Sequence, residues 1–182
     1  MKEFVIFLDV DGVLNNWDWI KFYNNNLKSS QYFEKYISPK NVKMLDYLLK
    51  KIEQRNFKPK IVVASTAWRD DKYIELIKIL RRYHLGYSGT YDKTTTQENG
   101  DRLNQIKRYI KEFNEIETNN PITDNFVIVD DETKNMQGRI DDKFILTATG
   151  IFEQGLTKEN VDGFINRYFE KDNQKSSQDF FE

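Results

Sequence analysis

Two acidic clusters, far apart in the chain, define the chemistry this sequence could support. Asp9 and Asp11 close a run of β-branched and aromatic residues, Phe4-Val5-Ile6-Phe7-Leu8, and Gly12 follows at once. Asp130 and Asp131, with Glu132 behind them, close a second such run, Phe126-Val127-Ile128-Val129. Carboxylates at i and i+2 of an extended chain point to the same side. Their charge must therefore be shared with a cation, a proton or a hydrogen-bond donor. Taken alone, the first pair also fits an Asx turn or a bland metal-binding loop. Gly12 lets the chain turn away immediately and lets a ligand approach the backbone closely. Between the clusters lie hydroxyls and cations: Ser65 and Thr66 after the run Lys60-Ile61-Val62-Val63-Ala64, Arg69 behind Trp68, and Arg102 with Lys107 further on.

The elements that must hold these groups are legible from hydrophobic pattern. Each apolar run is continuous rather than alternating, which fits strands buried on both faces of a parallel sheet. The acids then sit at carboxyl ends, where open α/β sheets bind ligands. Ser38 as cap and Pro39 at the first helical position predict a helix reaching about Arg55, with Val42, Leu45, Leu48, Leu49 and Ile52 on its buried stripe. Ile74, Ile77, Leu80 and Tyr83 predict a second helix over 70–84, with His84 solvated at its end beside Arg81 and Arg82. A short strand and turn is expected at 85–91, then a polar loop at 93–100. Asp101-Arg102 opens another helix, its face formed by Leu103, Ile106, Tyr109, Ile110 and Phe113. After a polar linker at 117–125 and the acidic strand comes a last strand at 143–147. Thr157 caps a helix over 158–169, and the polar composition from Lys171 predicts a frayed tail.

The order of these features carries a resemblance. Asp9-Val10-Asp11-Gly12-Val13-Leu14 after a hydrophobic strand resembles the first motif of the haloacid dehalogenase (HAD) superfamily, whose aspartate nucleophiles mostly transfer phosphoryl groups. Ser65, with Thr66 as the alternative, resembles the second-motif hydroxyl; Arg102, with Lys107 as the alternative, the third-motif cation; Asp130 and Asp131 the fourth-motif acids. The spacing Ser65-x-x-Trp68-Arg69 and the later Gly155-Leu156-Thr157 resemble the HAD domains of RNA-repair (Swiss Army Knife) proteins. The resemblance spans roughly residues 4 to 157. It implies a Rossmann-like three-layer α/β sandwich with a mainly parallel central sheet, occupying 1–170, followed by a flexible tail at 171–182. Residues 15–38, rich in aromatics, are expected to form a small flap or cap after the first strand. Most of those aromatics serve as a plug onto the domain, while Trp17 and Trp19 lie nearest the aspartates and face substrate.

The resemblance further implies a magnesium-dependent phosphatase. Asp9 attacks phosphorus and Asp11 serves as general acid and base. Asp9, the Asp11 backbone carbonyl and Asp130 hold magnesium, with Asp131 beside them. Ser65 or Thr66, Arg69, Gly12 and Trp17 meet the substrate, and Arg102 offsets the charge. Arg69 alternatively forms a salt bridge at a helix start. A polynucleotide 3′ end is one substrate class implied, a nucleotide or other small phosphomonoester the alternative, and a catalytically silent metal- or nucleic-acid-binding module the third reading.

Bulk composition narrows the field. With 28 basic and 29 acidic residues the net charge is -1, so no global field draws the protein to nucleic acid or anionic membrane. The sequence has no cysteine and one histidine, which excludes disulfides, thiolate chemistry and multi-histidine metal sites. No apolar run approaches membrane-spanning length, and the opening apolar stretch is too short for a signal peptide. The expectation is a cytoplasmic, single-domain protein with no membrane partner, and a monomer by default.

Overall fold

The apolar runs become strands buried on both faces, and the stripes become helices that cover them. A computed structural model of the chain describes residues 1–26, 34–83, 89–95, 102–132, 141–147 and 154–178, without the side chains at 17, 25, 26, 34, 141 and 170–178. The strands are β1 (Lys2–Leu8), β2 (Phe57–Val63), β3 (Tyr91–Lys93), β4 (Phe126–Asp130) and β5 (Phe144–Leu146). The helices are α1 (Trp17–Asn26), α2 (Pro39–Glu53), α3 (Tyr73–Tyr83), α4 (Arg102–Ile116) and α5 (Lys158–Gln178). The sheet order is β3-β2-β1-β4-β5, and every described pairing is parallel. This is the Rossmann-like α/β architecture expected.

Alternate residues of β1 feed two cores. Phe4, Ile6 and Leu8 pack with α2, α3 and α5, whereas Val5 and Phe7 pack with Ile106 of α4. Three layers result, with β1 at the centre. The chain winds outward from β1 through β2 to β3, then crosses to β4 and β5 on the other side. The reversal places a switch point between the carboxyl ends of β1 and β4, the position where such sheets leave a crevice. No helix among the described residues is long and apolar enough to cross a membrane.

Several boundaries differ from expectation. β2 begins at Phe57 and ends at Val63, and β5 is confined to Phe144–Leu146. α3 starts at Tyr73 because residues 66–72 form turns rather than a first helical turn. β3 lies at Tyr91–Lys93, at the end of the stretch expected to hold a short strand; His84 and residues 85–88 lie outside the described residues. The described backbone of the tail from Lys171 is helical as far as Gln178. Once a helix is nucleated, each added residue gains a hydrogen bond, so a polar sequence can continue it. The caps are as read: Ser38 Oγ accepts from the Asn41 amide and Pro39 opens α2, while Thr157 Oγ1 accepts from the Asn160 amide at the start of α5.

Candidate active site

The strand register brings polar residues to one edge of the sheet. Leu8 pairs with Val63 and with Val129, and Val129 pairs with Ile145. The ladder continues past the strand ends: Asp9 donates its amide to the Val129 carbonyl (2.9 Å), Ala64 to Leu8 (2.8 Å), Thr94 to Val63 (3.0 Å) and Thr147 to Asp130 (3.0 Å). Thr94, Ser65, Asp9, Asp130 and Thr147, each buried, therefore line the carboxyl edge. A row of buried polar groups at the end of an otherwise apolar sheet is the place to look for chemistry.

Asp9, Asp130 and Asp131 converge there, with one carboxylate oxygen from each lying within 4.8 Å of the others. Arg102, the first residue of α4, reaches back over them. Its Nη1 lies 3.0 Å from Asp9 Oδ2 and also donates to Asp130 Oδ2. Asp130 Oδ1 accepts the Glu132 amide at 2.9 Å. Asp9 Oδ1 is buried and has no hydrogen-bond partner among the described residues. The Ser65 hydroxyl, 1% exposed, lies near enough to favour Asp9 ionisation without meeting hydrogen-bond geometry at Oδ1. Burial is the largest influence on Asp9 and lifts its carboxyl from 3.8 to about 6; Arg102 opposes this and the Asp130 charge adds to it. Arg102 is affected first by burial, which lowers its pKa, but Asp9 and Asp130 outweigh that and raise it.

Gly12 permits the close packing of this cluster. Its φ is +72°, and a Cβ built on it would lie 2.1 Å from Asp131 Oδ2. The Asp131 carboxylate thus rests against the Gly12 α-carbon, and Thr147 Oγ1 fixes the Gly12 carbonyl at 2.8 Å. Two of the three clustered carboxylates share the Arg102 guanidinium, and one Asp9 oxygen has no hydrogen-bond partner among the described residues. That donor set of hard oxygens suits a divalent cation such as magnesium. Asp11 stands apart from the cluster by its side chain, which is exposed and accepts from Asn15 Nδ2 (2.7 Å) and Trp68 Nε1 (3.1 Å) through Oδ1.

A family model described as the HAD domain in Swiss Army Knife RNA repair proteins matches residues 5–161. The chain belongs to this HAD family. No curated protein and no solved structure matches it. The matched residues include both acidic strand ends, Ser65, Arg69 and Arg102, so the whole candidate site lies within the HAD domain. Membership makes the chain a hydrolase of the HAD superfamily by family.

The other site residues read from sequence fall at different distances from the HAD carboxylates. Thr66 is exposed, whereas Ser65 is buried beside Asp9. Lys107 is exposed on α4, one turn beyond the Arg102 contacts. Arg69 lies before α3, which begins only at Tyr73, and makes no helix-start salt bridge among the described residues. Instead it is 3% exposed and donates through Nη1 to Thr94 Oγ1 (3.2 Å) and to Gln105 Oε1, while its Nε is buried without a partner among the described residues. Burial chiefly lowers its pKa, with Asp70 opposing and the Arg102 charge adding. The side chain of Trp17 lies outside the described residues. Trp19 is half-buried and stacks on Phe22 with centroids 5.7 Å apart, while Tyr23 is buried as a plug.

A second set of residues shapes the site without being apparent from sequence. Asn41, fully buried on α2, donates to the carbonyls of Gln154 (2.8 Å) and Leu156 (3.0 Å) and accepts from Asn16 (2.7 Å). Asn16 in turn caps α1 by accepting the Trp19 amide at 2.8 Å. Gly155, at φ +68°, lies so close to Val13 O and Asn41 that a Cβ would be 2.6 and 2.7 Å from them. The segment after Asp11, the start of α1 and the approach to α5 are thereby tied together. The only sequence signal was Gly155-Leu156-Thr157; asparagines at these positions have no local pattern.

Proposed function

We propose that this HAD domain is a magnesium-dependent phosphatase that hydrolyses phosphomonoesters through an aspartyl-phosphate, with polynucleotide 3′ ends as its substrate class. The observation that carries this reading is the convergence of one carboxylate oxygen each from Asp9, Asp130 and Asp131 to within 4.8 Å of one another, with Asp9 Oδ1 buried and unpartnered among the described residues and Arg102 bridging two of the three. Asp9, Asp130 and Asp131 would hold magnesium, which when bound supplies positive charge against the phosphoryl oxygens.

Asp9 attacks phosphorus in line, forming its O–P bond as the ester P–O bond breaks. With its carboxyl at about 6, Asp9 is mostly ionised at neutral pH and competent as a nucleophile. Asp11 gives a proton to the leaving oxygen, then takes one from the water whose oxygen displaces Asp9 from phosphorus. Inorganic phosphate leaves and both aspartates return to their starting states. Arg102 offsets the carboxylates' mutual repulsion, and the buried Ser65 hydroxyl donates to a phosphoryl oxygen. The interior Arg69, held by neutral partners, adds positive potential beneath the site.

A substrate panel with magnesium tests the reading: a 3′-phosphorylated oligonucleotide, mononucleotides and an aryl phosphate, scored for phosphate release. Release from the oligonucleotide that exceeds the mononucleotides and falls steeply with salt supports the polynucleotide class. The net charge of -1 favours a second reading, a small phosphomonoester, which predicts the reverse ranking and little salt dependence. No release from any ester leaves a metal- or nucleic-acid-binding module.

A further inference from the structure

We propose that Asn15 and Trp68 are positioning residues that dictate which oxygen of Asp11 exchanges the proton; this rests on the phosphatase reading above. Both donors land on the same atom, Oδ1, at 2.7 and 3.1 Å. The orientation of the Asn15 amide is settled by its other end. The Gly12 N–H can only donate, and it does so to Asn15 Oδ1 at 2.7 Å, so Nδ2 must face Asp11. An indole N–H likewise only donates. Two obligate donors fill the lone pairs of Oδ1 and make it the carbonyl-type oxygen of the neutral acid. The proton is then carried on Oδ2, and no described residue donates to that atom.

The clamp is rigid where the group it holds is not. Asp11 is exposed and would otherwise sample several rotamers, whereas Trp68 is 2% exposed within the core and Asn15 is 7% exposed. Lys72 sits 5.4 Å from the centre of the Trp68 ring and covers it. Two bonds from fixed donors choose one rotamer and one oxygen, which is what a proton donor needs at the moment the ester bond breaks. In the first step the Oδ2 proton passes to the leaving oxygen as the Asp9–phosphorus bond forms. In the second, Oδ2 takes a proton from water as the water oxygen bonds to phosphorus and Asp9 is released. The neighbours Trp68 and Arg69 thus divide their work: the indole reaches Asp11, and the guanidinium reaches Thr94 and Gln105.

Trp68→Phe keeps the ring and removes the donor. The test compares kcat/KM for phenyl phosphate, whose leaving group needs a proton, with 2,4-dinitrophenyl phosphate, whose leaving group does not. Loss of acid positioning predicts a fall of roughly tenfold or more on the first ester and less than about twofold on the second. Equal losses on both, or none on either, overturn the assignment while leaving an active wild type as a phosphatase. A wild type inactive on both aryl esters and on the 3′-phosphorylated oligonucleotide fails the phosphatase reading and takes this assignment with it. A second readout needs no turnover: the Trp68 indole N–H resonance of isotopically labelled protein should move upfield in Asp11→Ala. An unmoved resonance overturns the clamp.

Discussion

Stripped of divalent ions, this fold should lose stability as pH rises through the mildly acidic range, and Asp9 should be the cause. Its carboxyl titrates at the ordinary 3.8 in the unfolded chain and at about 6 in the fold, because burial penalises the charge more than Arg102 relieves it. Below 3.8 both states hold the proton and this group contributes nothing to the slope. Between 3.8 and about 6 the folded state keeps a proton that the unfolded chain has given up, so stability falls as pH increases. Above about 6 both states are ionised and the loss is complete. At about 1.36 kcal/mol per pH unit the gap amounts to about 3 kcal/mol as an upper bound. For 182 residues that is a fall in Tm of roughly 6–12 °C. Asp9→Asn retains the shape and cannot titrate, so it should lack this component. The assay is thermal melting in EDTA from about pH 4 to about pH 8, read as the difference between wild type and variant, which cancels the groups that do not interact with Asp9. Magnesium at neutral pH should return the lost stability to the wild type and not to the variant. A constant offset between the two proteins across the range would refute the reasoning.

Other perturbations follow from the same contacts. Arg102→Ala leaves Asp9 and Asp130 buried without their shared cation, and denaturant titration should show a loss of about 2–3 kcal/mol at neutral pH, smaller where Asp9 is protonated. Gly12→Ala forces a side chain into a φ of +72° and against Asp131 Oδ2, so it should cost about 1–3 kcal/mol and weaken magnesium binding by calorimetry. Asn41→Ala removes the side-chain donor to the Leu156 carbonyl and leaves the Gln154 carbonyl with Asn16 Nδ2 alone, and urea melts should report about 1–3 kcal/mol with the sheet's circular dichroism preserved.

What could be read from the sequence was whatever a single element encodes. Asp9, Ser65 and Asp130 were legible because a continuous apolar run fixes a buried strand and its end fixes the edge. Arg102 was legible because it opens a helix whose apolar face is unmistakable. The partners were not. Nothing local announces that Trp68 would turn its indole to Asp11, or that Asn41 would bind carbonyls over a hundred residues away. Arg69 was read as reaching a phosphate or a helix-start carboxylate, and its actual neighbours, Thr94 and Gln105, come from separate elements whose packing only the fold decides. The carboxyl-terminal extension of α5 was missed for a different reason: a polar stretch has no stripe to reveal a helix that merely continues.

The central claim, that Asp9 bonds to phosphorus, is most directly tested by acid-quenching the protein during turnover of a phosphorus-labelled phosphomonoester with magnesium and mapping the label. The account predicts an acyl-phosphate on the peptide bearing Asp9, absent in Asp9→Asn. Phosphate released at full rate with the label on another residue, or by Asp9→Asn itself, would contradict it.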